Sequence, residues 1–158
     1  MTERRFHSVL GCLIGVMALA FLAAAPARAE LGGSYYGMLH DQAGLSATLT
    51  TVEHTGYTTY VLDLPDGTQV REYFSAHTGV FAVEWSGHGH RPDMRQLLGV
   101  YFERFQRPVA APHRGRNSPL LLVDPDFVLE SRSAMRHFTG RAYLPQLVPQ
   151  EVQLADLH

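Results

Sequence analysis

Residues 57–75 read YTTYVLDLPDGTQVREYFS, in which two strand-like runs flank a turn. On both sides of Pro65-Asp66-Gly67, β-branched and aromatic side chains occur at the density typical of strands. Proline presets φ, aspartate tolerates the bend and glycine supplies a positive φ, so these three residues predict the turn of a β-hairpin. We therefore predict antiparallel strands over 57–64 and 68–75.

Similar signals lie on both sides of this hairpin. Residues 45–53 and 80–85 are further strand candidates, and the turns joining them to the hairpin are predicted at His54-Thr55-Gly56 and His77-Thr78-Gly79. These segments predict four consecutive antiparallel strands. A short helical turn is predicted before them, over 38–45. Later strand candidates cover residues 120–123, 127–131 and 135–144.

An amphipathic helix is predicted between the two groups of strands. Its apolar residues follow the i, i+3, i+4, i+7, i+8, i+11 series of one buried face, and they are Met94, Leu97, Leu98, Tyr101, Phe102 and Phe105. Asp93 occupies the N-cap position, Gly99 lies inside the helix, and Pro108 is expected to end it. The fold predicted is α+β, a mainly antiparallel sheet of about six or seven strands with one principal amphipathic helix packed on one face.

The first 29 residues resemble a secretory signal peptide. Arg4 and Arg5 precede an apolar run over 9–25, and Pro26 with Ala27-Arg28-Ala29 supplies a break and a small-x-small cleavage site. The run is shorter than the roughly 20 residues of a spanning helix, which favours cleavage over anchoring. We predict a signal peptide over 1–29, a single globular domain over 30–158, and a periplasmic or secreted location without a membrane anchor.

Composition excludes several functions. The chain has 13 Lys plus Arg against 15 Asp plus Glu, so it lacks the basic excess that drives nucleic-acid binding. All the basic residues are arginines, which excludes catalytic lysines. The one cysteine, Cys12, lies within the predicted signal peptide, so the exported domain is expected to be free of disulfides.

Several ordered motifs resemble a known family. They are Leu31-Gly32-Gly33, Val70-Arg71-Glu72-Tyr73, Val80-Phe81-Ala82-Val83 with Trp85, Pro92-Asp93, Arg95-Gln96-Leu97-Leu98-Gly99, Tyr101-Phe102, Met135-Arg136 with Phe138, and Gly140-Arg141-Ala142-Tyr143-Leu144-Pro145. Together they resemble domain of unknown function 2844, a family of short secreted proteins of Gram-negative bacteria. The resemblance implies export and a single domain, and it implies no activity, ligand or catalytic residue.

Two patterns suggest chemistry that an enzyme could use. In Gly87-His88-Gly89-His90, two imidazoles lie two residues apart in a flexible loop, and Glu84, Asp93 or His77 is a conceivable third metal ligand. Because HxH is common in polar loops, we predict no metal or other cofactor, and His88 and His90 remain candidates only. Glu72 and Glu84 on neighbouring strands could form an acid/base pair, but pairing with Arg71, Arg95 or Arg141 is favoured.

The last predicted strand has two different faces. By alternation Phe138, Gly140, Ala142 and Leu144 point to the core, and His137, Thr139, Arg141 and Tyr143 point away from it. Arg71 and Tyr73 form a similar pair on the third strand, whereas Trp85 with Phe81 and Val83 is assigned to the core. The candidate binding residues are therefore Arg71, Tyr73, His137, Arg141 and Tyr143, because arginine and tyrosine are enriched at interfaces and suit anionic ligands.

These patterns favour a non-enzymatic binding or accessory protein of the cell envelope. Its partner would be another envelope protein or an anionic ligand. The alternative is a small metal-dependent hydrolase that uses the His88 and His90 loop, and a purely structural role in the envelope is a third possibility.

Overall fold

The computed structural model describes residues 31–109 and 119–157, so the predicted signal peptide lies outside the described residues. The described strands are β1 (Thr48–Glu53), β2 (Thr58–Asp63), β3 (Gln69–Ser75), β4 (Gly79–His88), β5 (Leu120–Val123), β6 (Val128–Ala134) and β7 (His137–Tyr143). The described helices are α1 (Tyr35–Gly44), α2 (Met94–Leu98) and α3 (Phe102–Val109). This arrangement confirms the predicted α+β class.

All seven described strands belong to one antiparallel sheet, in the order β1-β2-β3-β4-β7-β6-β5. The four consecutive strands predicted from the sequence are confirmed as β1 to β4. After β4 the chain passes through α2 and α3 to the far edge of the sheet, and it returns through β6 to pair β7 with β4. This return places the last strand in the middle of the sheet.

The predicted hairpin turn is confirmed. The Gly67 amide donates to the Leu64 carbonyl at 3.0 Å, Gly67 has a φ of 81°, and the Thr68 amide donates to Asp66 Oδ1 at 2.9 Å. The turn between β6 and β7 differs from prediction, because Met135 and Arg136 form it with φ values of 49° and 69°. The predicted start of the last strand at Met135 is therefore wrong, and local patterns did not indicate the turn because bulky residues rarely adopt positive φ.

The prediction of one continuous helix is wrong, because the helix breaks at Gly99, between α2 and α3. Gly99 has a φ of 51° and a ψ of −122°, and a 3-10 turn (Gly99–Tyr101) separates the two helices. Asp93 caps α2 as predicted, accepting from the Arg95 amide at 2.9 Å. Pro108 lies inside α3, which ends one residue later than expected, within the range over which helix ends vary.

The predicted apolar helical face still packs on the sheet. Its Met94, Leu97, Leu98 and Phe105 are buried, and they join the main hydrophobic core with side chains from the covered face of the sheet. From the sheet that core includes Leu62, Val70, Val83, Trp85, Leu129, Phe138 and Ala142. The two short helices therefore cover the face that one long helix was expected to cover.

Trp85 lies in this core, as predicted, and is 2% exposed. It pairs across the strands with Gly140, where an added Cβ would overlap the Trp85 ring and lie 2.9 Å from the Glu130 carbonyl oxygen. Only glycine therefore fits position 140 beside this indole. The close approach explains why a glycine interrupts the apolar face of β7.

A second, smaller core lies on the opposite face. The register between β3 and β4 shifts at Tyr73/Phe74, and the resulting bulge leaves Phe81 in a cluster with Tyr73 and Ala82. Phe81 is buried in a core, as predicted, but in this second core and not beside Val83 and Trp85, where strand alternation had placed it. The chain after β7 covers this cluster with Val152 and Leu157. The face expected to be open is therefore partly covered.

Candidate functional site

Four charged residues lie directly opposite one another across the middle of the sheet, on the face away from the helices. Arg71 pairs with Glu84, Glu84 with Arg141, and Arg141 with Glu130. They come from β3, β4, β7 and β6, which are neighbouring strands about 4.8 Å apart. We call these four residues the charged row, in which positive and negative side chains alternate.

Arg141 is the fixed centre of the charged row. Its Nη2 donates to Glu130 Oε1 at 2.7 Å, its Nη1 donates to the Leu154 carbonyl at 2.8 Å, and Glu84 Oε1 lies 3.9 Å from Nη1. Its Nε is buried and makes no hydrogen bond within the described residues. The guanidinium is thus held by two strands and by the segment that follows β7.

Tyr73 holds Glu84 through a hydrogen bond, from the part of this face that the second core occupies. Its hydroxyl donates to Glu84 Oε2 at 2.8 Å, and its side chain is buried. Burial raises the pKa of Tyr73 well above its ordinary value, and the negative charge of Glu84 and the hydrogen bond to it raise the pKa further. Tyr73 therefore remains a neutral hydrogen-bond donor throughout the physiological pH range.

An open-sided pocket of about 440 Å³ lies over the charged row. Beyond the row, its lining consists of Trp85, Ser86, Ser131, Arg132, Thr139 and Gly140. Three arginines and two glutamates therefore line it, which makes the pocket positive in a chain with a net charge of −2. Within the described residues, the side chains of Arg71 and Arg132 make no hydrogen bond or ion pair, so both guanidinium groups can reach a ligand.

The structure places all five predicted binding residues on one face. Arg71 and Arg141 belong to the charged row, and Tyr73 and Tyr143 both lie opposite Ala82 in the adjacent row, beside the second core. His137 lies at the other end of β7 and is exposed. Tyr73 is 2% exposed, so the prediction that it contributes to an open surface is wrong. The binding role of the five residues stays a prediction.

Sequence reasoning missed several residues of the pocket. Glu130, Ser86 and Arg132 were not selected, although alternation along β4 places Ser86 on the same face as Glu84. Pairing of Glu130 with Arg141 depends on a strand order that local patterns do not specify. Only the tertiary structure could identify these partners.

The hypothesis that Glu72 and Glu84 form an acid/base pair is wrong. Glu72 pairs with Val83 and is fully buried on the helix-covered face, whereas Glu84 pairs with Arg71 on the opposite face. A shift of one residue in a strand reverses the direction of the side chain, so the two carboxylates are separated by the sheet. Glu84 instead contacts Arg141, in agreement with the favoured alternative.

The structure places His88 beside a histidine other than His90, the one considered with it in the sequence. His88 ends β4 and lies opposite His137 on β7, with 4.8 Å between the ring centroids. His90 follows in an exposed loop. In residues 31–109 and 119–157, no three His, Cys, Asp or Glu side chains are grouped so that they could hold a metal ion. The third ligands considered from the sequence are therefore not assembled around His88 and His90.

The fold and the pocket define a small α+β protein with a row of charged residues on one face of its sheet. Residues 27–157 match the profile of a family described as "Protein of unknown function (DUF2844)", and the chain belongs to this family. Neither the curated proteins nor the solved structures contain a match to the chain. Among the described helices, none has both the length and the apolar character that crossing a bilayer requires.

Proposed function

We propose that the protein is an exported, non-enzymatic binding protein of the cell envelope, and that its pocket holds an anionic group of a ligand. The observation that carries this proposal is the pair of guanidinium groups in the pocket, Arg71 and Arg132, which form no ion pair with a carboxylate of the described residues. A planar guanidinium binds carboxylate or phosphate through two parallel hydrogen bonds. An anionic ligand would supply the missing partners.

The rest of the pocket suits a small polar ligand. Its volume of about 440 Å³ lies within the range of small-molecule sites. Ser86 and Thr139 supply hydroxyl groups beside the charged row, and they can donate to or accept from a ligand. A sugar acid or a similar hydroxyl-bearing anion combines the two chemistries that this lining offers.

Binding accounts for the carboxylates better than catalysis does. Glu130 accepts a hydrogen bond from Arg141, and Glu84 accepts one from Tyr73 and lies near Arg141. A general acid or base needs a carboxyl group that is free to exchange a proton with the substrate. These contacts instead hold both side chains in place, where they orient Arg141.

The envelope location rests on the predicted signal peptide over 1–29. Intact-mass measurement of the protein isolated from its own cells tests this part directly. We expect the mass of a polypeptide that begins at Glu30, and we expect to recover it in the periplasmic or extracellular fraction. A mass that includes Met1 to Ala29, recovered in the cytoplasm, would contradict export.

Ligand chemistry can be tested with a matched pair of sugars. We expect glucuronate to raise the melting temperature of the purified protein and glucose to have no effect, because only glucuronate carries a carboxylate. Arg71→Gln and Arg132→Gln should each abolish this rise. Arg107→Gln is the matched control, since Arg107 is exposed on α3, on the other side of the sheet.

The salt dependence supplies a second readout. Binding through unpaired arginines should weaken as ionic strength rises, because the ions screen exposed charges. The test at low salt uses three anions: glucuronate, its analogue with phosphate in place of carboxylate, and inorganic phosphate. If none of them raises the melting temperature of the wild type, the proposal that the pocket binds an anionic group is wrong. Equal stabilisation of wild type and Arg71→Gln would also overturn it.

A further inference from the structure

The two histidines that the sheet places side by side lie far apart in the sequence. His88 is the last residue of β4, His137 is the first residue of β7, and the two are directly opposite in the register. Both side chains are exposed, so an ion in solution can reach them. On each strand the charged pocket begins two residues away from the histidine, at Ser86 on β4 and at Thr139 on β7.

The spacing of the rings matches that of two imidazoles on one metal ion. With metal–nitrogen bonds of about 2.0–2.1 Å, two bound imidazoles have ring centroids about 4.5 Å apart at a right angle and about 5.2 Å apart at the tetrahedral angle. The centroids of His88 and His137 are 4.8 Å apart, which lies between these values. The two rings therefore already have the separation that binding to one ion requires.

The surrounding backbone holds both histidines in place. Pairing of β4 with β7 continues past His88, because the Gly89 amide donates to the Arg136 carbonyl at 2.7 Å. Met135 and Arg136 form a tight turn with positive φ immediately before His137. Both histidines are therefore attached to a hydrogen-bonded sheet, and little order has to be gained when they bind an ion.

We propose that His88 and His137 form a two-histidine site for a late first-row divalent ion, with Cu²⁺ bound most tightly. Imidazole suits Cu²⁺, Ni²⁺ and Zn²⁺, and Cu²⁺ has the highest affinity in the series for a given set of ligands. In the described residues no third His, Cys, Asp or Glu completes the site, so water occupies the other coordination positions. His90, the partner suggested by the sequence, has no part in this site.

The test uses untagged protein, because a polyhistidine tag would bind the same ions. CuCl₂ is titrated into the purified protein by calorimetry in a buffer that does not chelate copper. We expect one equivalent to bind to the wild type. His88→Ala and His137→Ala should each weaken binding by more than about tenfold, since loss of even an outer partner of a metal ligand costs about that much.

His90→Ala is the matched control, and it should bind copper like the wild type. Electron paramagnetic resonance of the copper complex should show two equivalent nitrogen ligands, and one nitrogen should disappear in His137→Ala. Melting curves without copper check that each variant folds. Because all three histidines are exposed, we expect their melting temperatures to agree.

Two outcomes would overturn the proposal. Loss of binding in His90→Ala but not in His137→Ala would assign the metal to the loop alone. Equal copper binding by all the variants would show an adventitious ion only. Arg71→Gln separates this site from the pocket, since it should remove glucuronate binding and leave copper binding unchanged.

Discussion

Trp85 and Ser86 are neighbours on β4, yet they lie in opposite environments. Trp85 packs in the main core under the helices, whereas Ser86 is half-buried and lines the charged pocket on the other face. Both residues belong to β4, which pairs with β3 on one side and β7 on the other. The larger of the two cores therefore lies on the helix-covered face, whereas the other face carries the smaller core and the charged row.

The covered face should show the largest effect of substitution. Trp85→Ala removes a buried indole and should lower the free energy of unfolding by about 3–5 kcal/mol, because the lost burial is combined with an unfilled cavity. Ser86→Ala, one residue away, should change it by less than about 0.5 kcal/mol. Urea unfolding followed by circular dichroism measures both values. Similar losses of unfolding free energy for the two variants would contradict the expectation that the covered face contributes more to stability than the other face.

The charged row should contribute less, with its effect centred on Arg141. Arg141→Met leaves Glu84 and Glu130 without their shared cation, and it should cost about 1–2 kcal/mol, since the side chain is a quarter exposed and solvent weakens the pairing. Arg71→Met should cost less than about 0.5 kcal/mol because Arg71 has no ion pair to lose. A larger loss for Arg71→Met than for Arg141→Met would show that the row is organised differently.

Tyr73 should give a smaller effect than Arg141 at neutral pH and a distinct one in alkali. Tyr73→Phe loses the hydrogen bond to Glu84 and should cost about 1 kcal/mol. Because the pKa of Tyr73 is raised in the folded state, the unfolded chain releases this proton first as the pH rises above about 10. The wild type should therefore lose stability above pH 10 more steeply than Tyr73→Phe does.

The difference between the two pH profiles isolates Tyr73. Burial also raises the pKa of Tyr60, but Tyr60 is present in both proteins and its contribution cancels. Unfolding in urea at several pH values between 8 and 11.5 measures the two slopes. Parallel curves for the wild type and Tyr73→Phe would mean that Tyr73 does not remain protonated in the folded protein.

Much of the secondary structure could be predicted because its signals are local. Pro65-Asp66-Gly67 specifies its turn through the φ preferences of three adjacent residues, and Leu120–Val123 was predicted with the bounds that the structure has. Asp93 was predicted as a cap from its place before an amphipathic series. In each case the determining residues lie within one turn or one strand.

The errors occurred where a distant contact or an unusual backbone angle decides the structure. Gly99 adopts a positive φ and breaks the helix, although the apolar spacing continues across it. The bulge that moves Phe81 to the second core exists only in the pairing of β3 with β4. The covering of Tyr73 by the segment after β7 likewise depends on how the chain returns over the sheet.

Local patterns in the sequence were enough to predict most of the strands, most of their inward and outward residues and the α+β class, because alternation and turn preferences act over a few residues. They also placed Arg71, Arg141 and His137 on outward positions. Only the tertiary structure decided that β7 pairs with β4, and this pairing brings Arg141 beside Glu84 and His137 beside His88. Strand order is set by packing of the whole chain around its core, so residues far apart in sequence become neighbours only when that core forms.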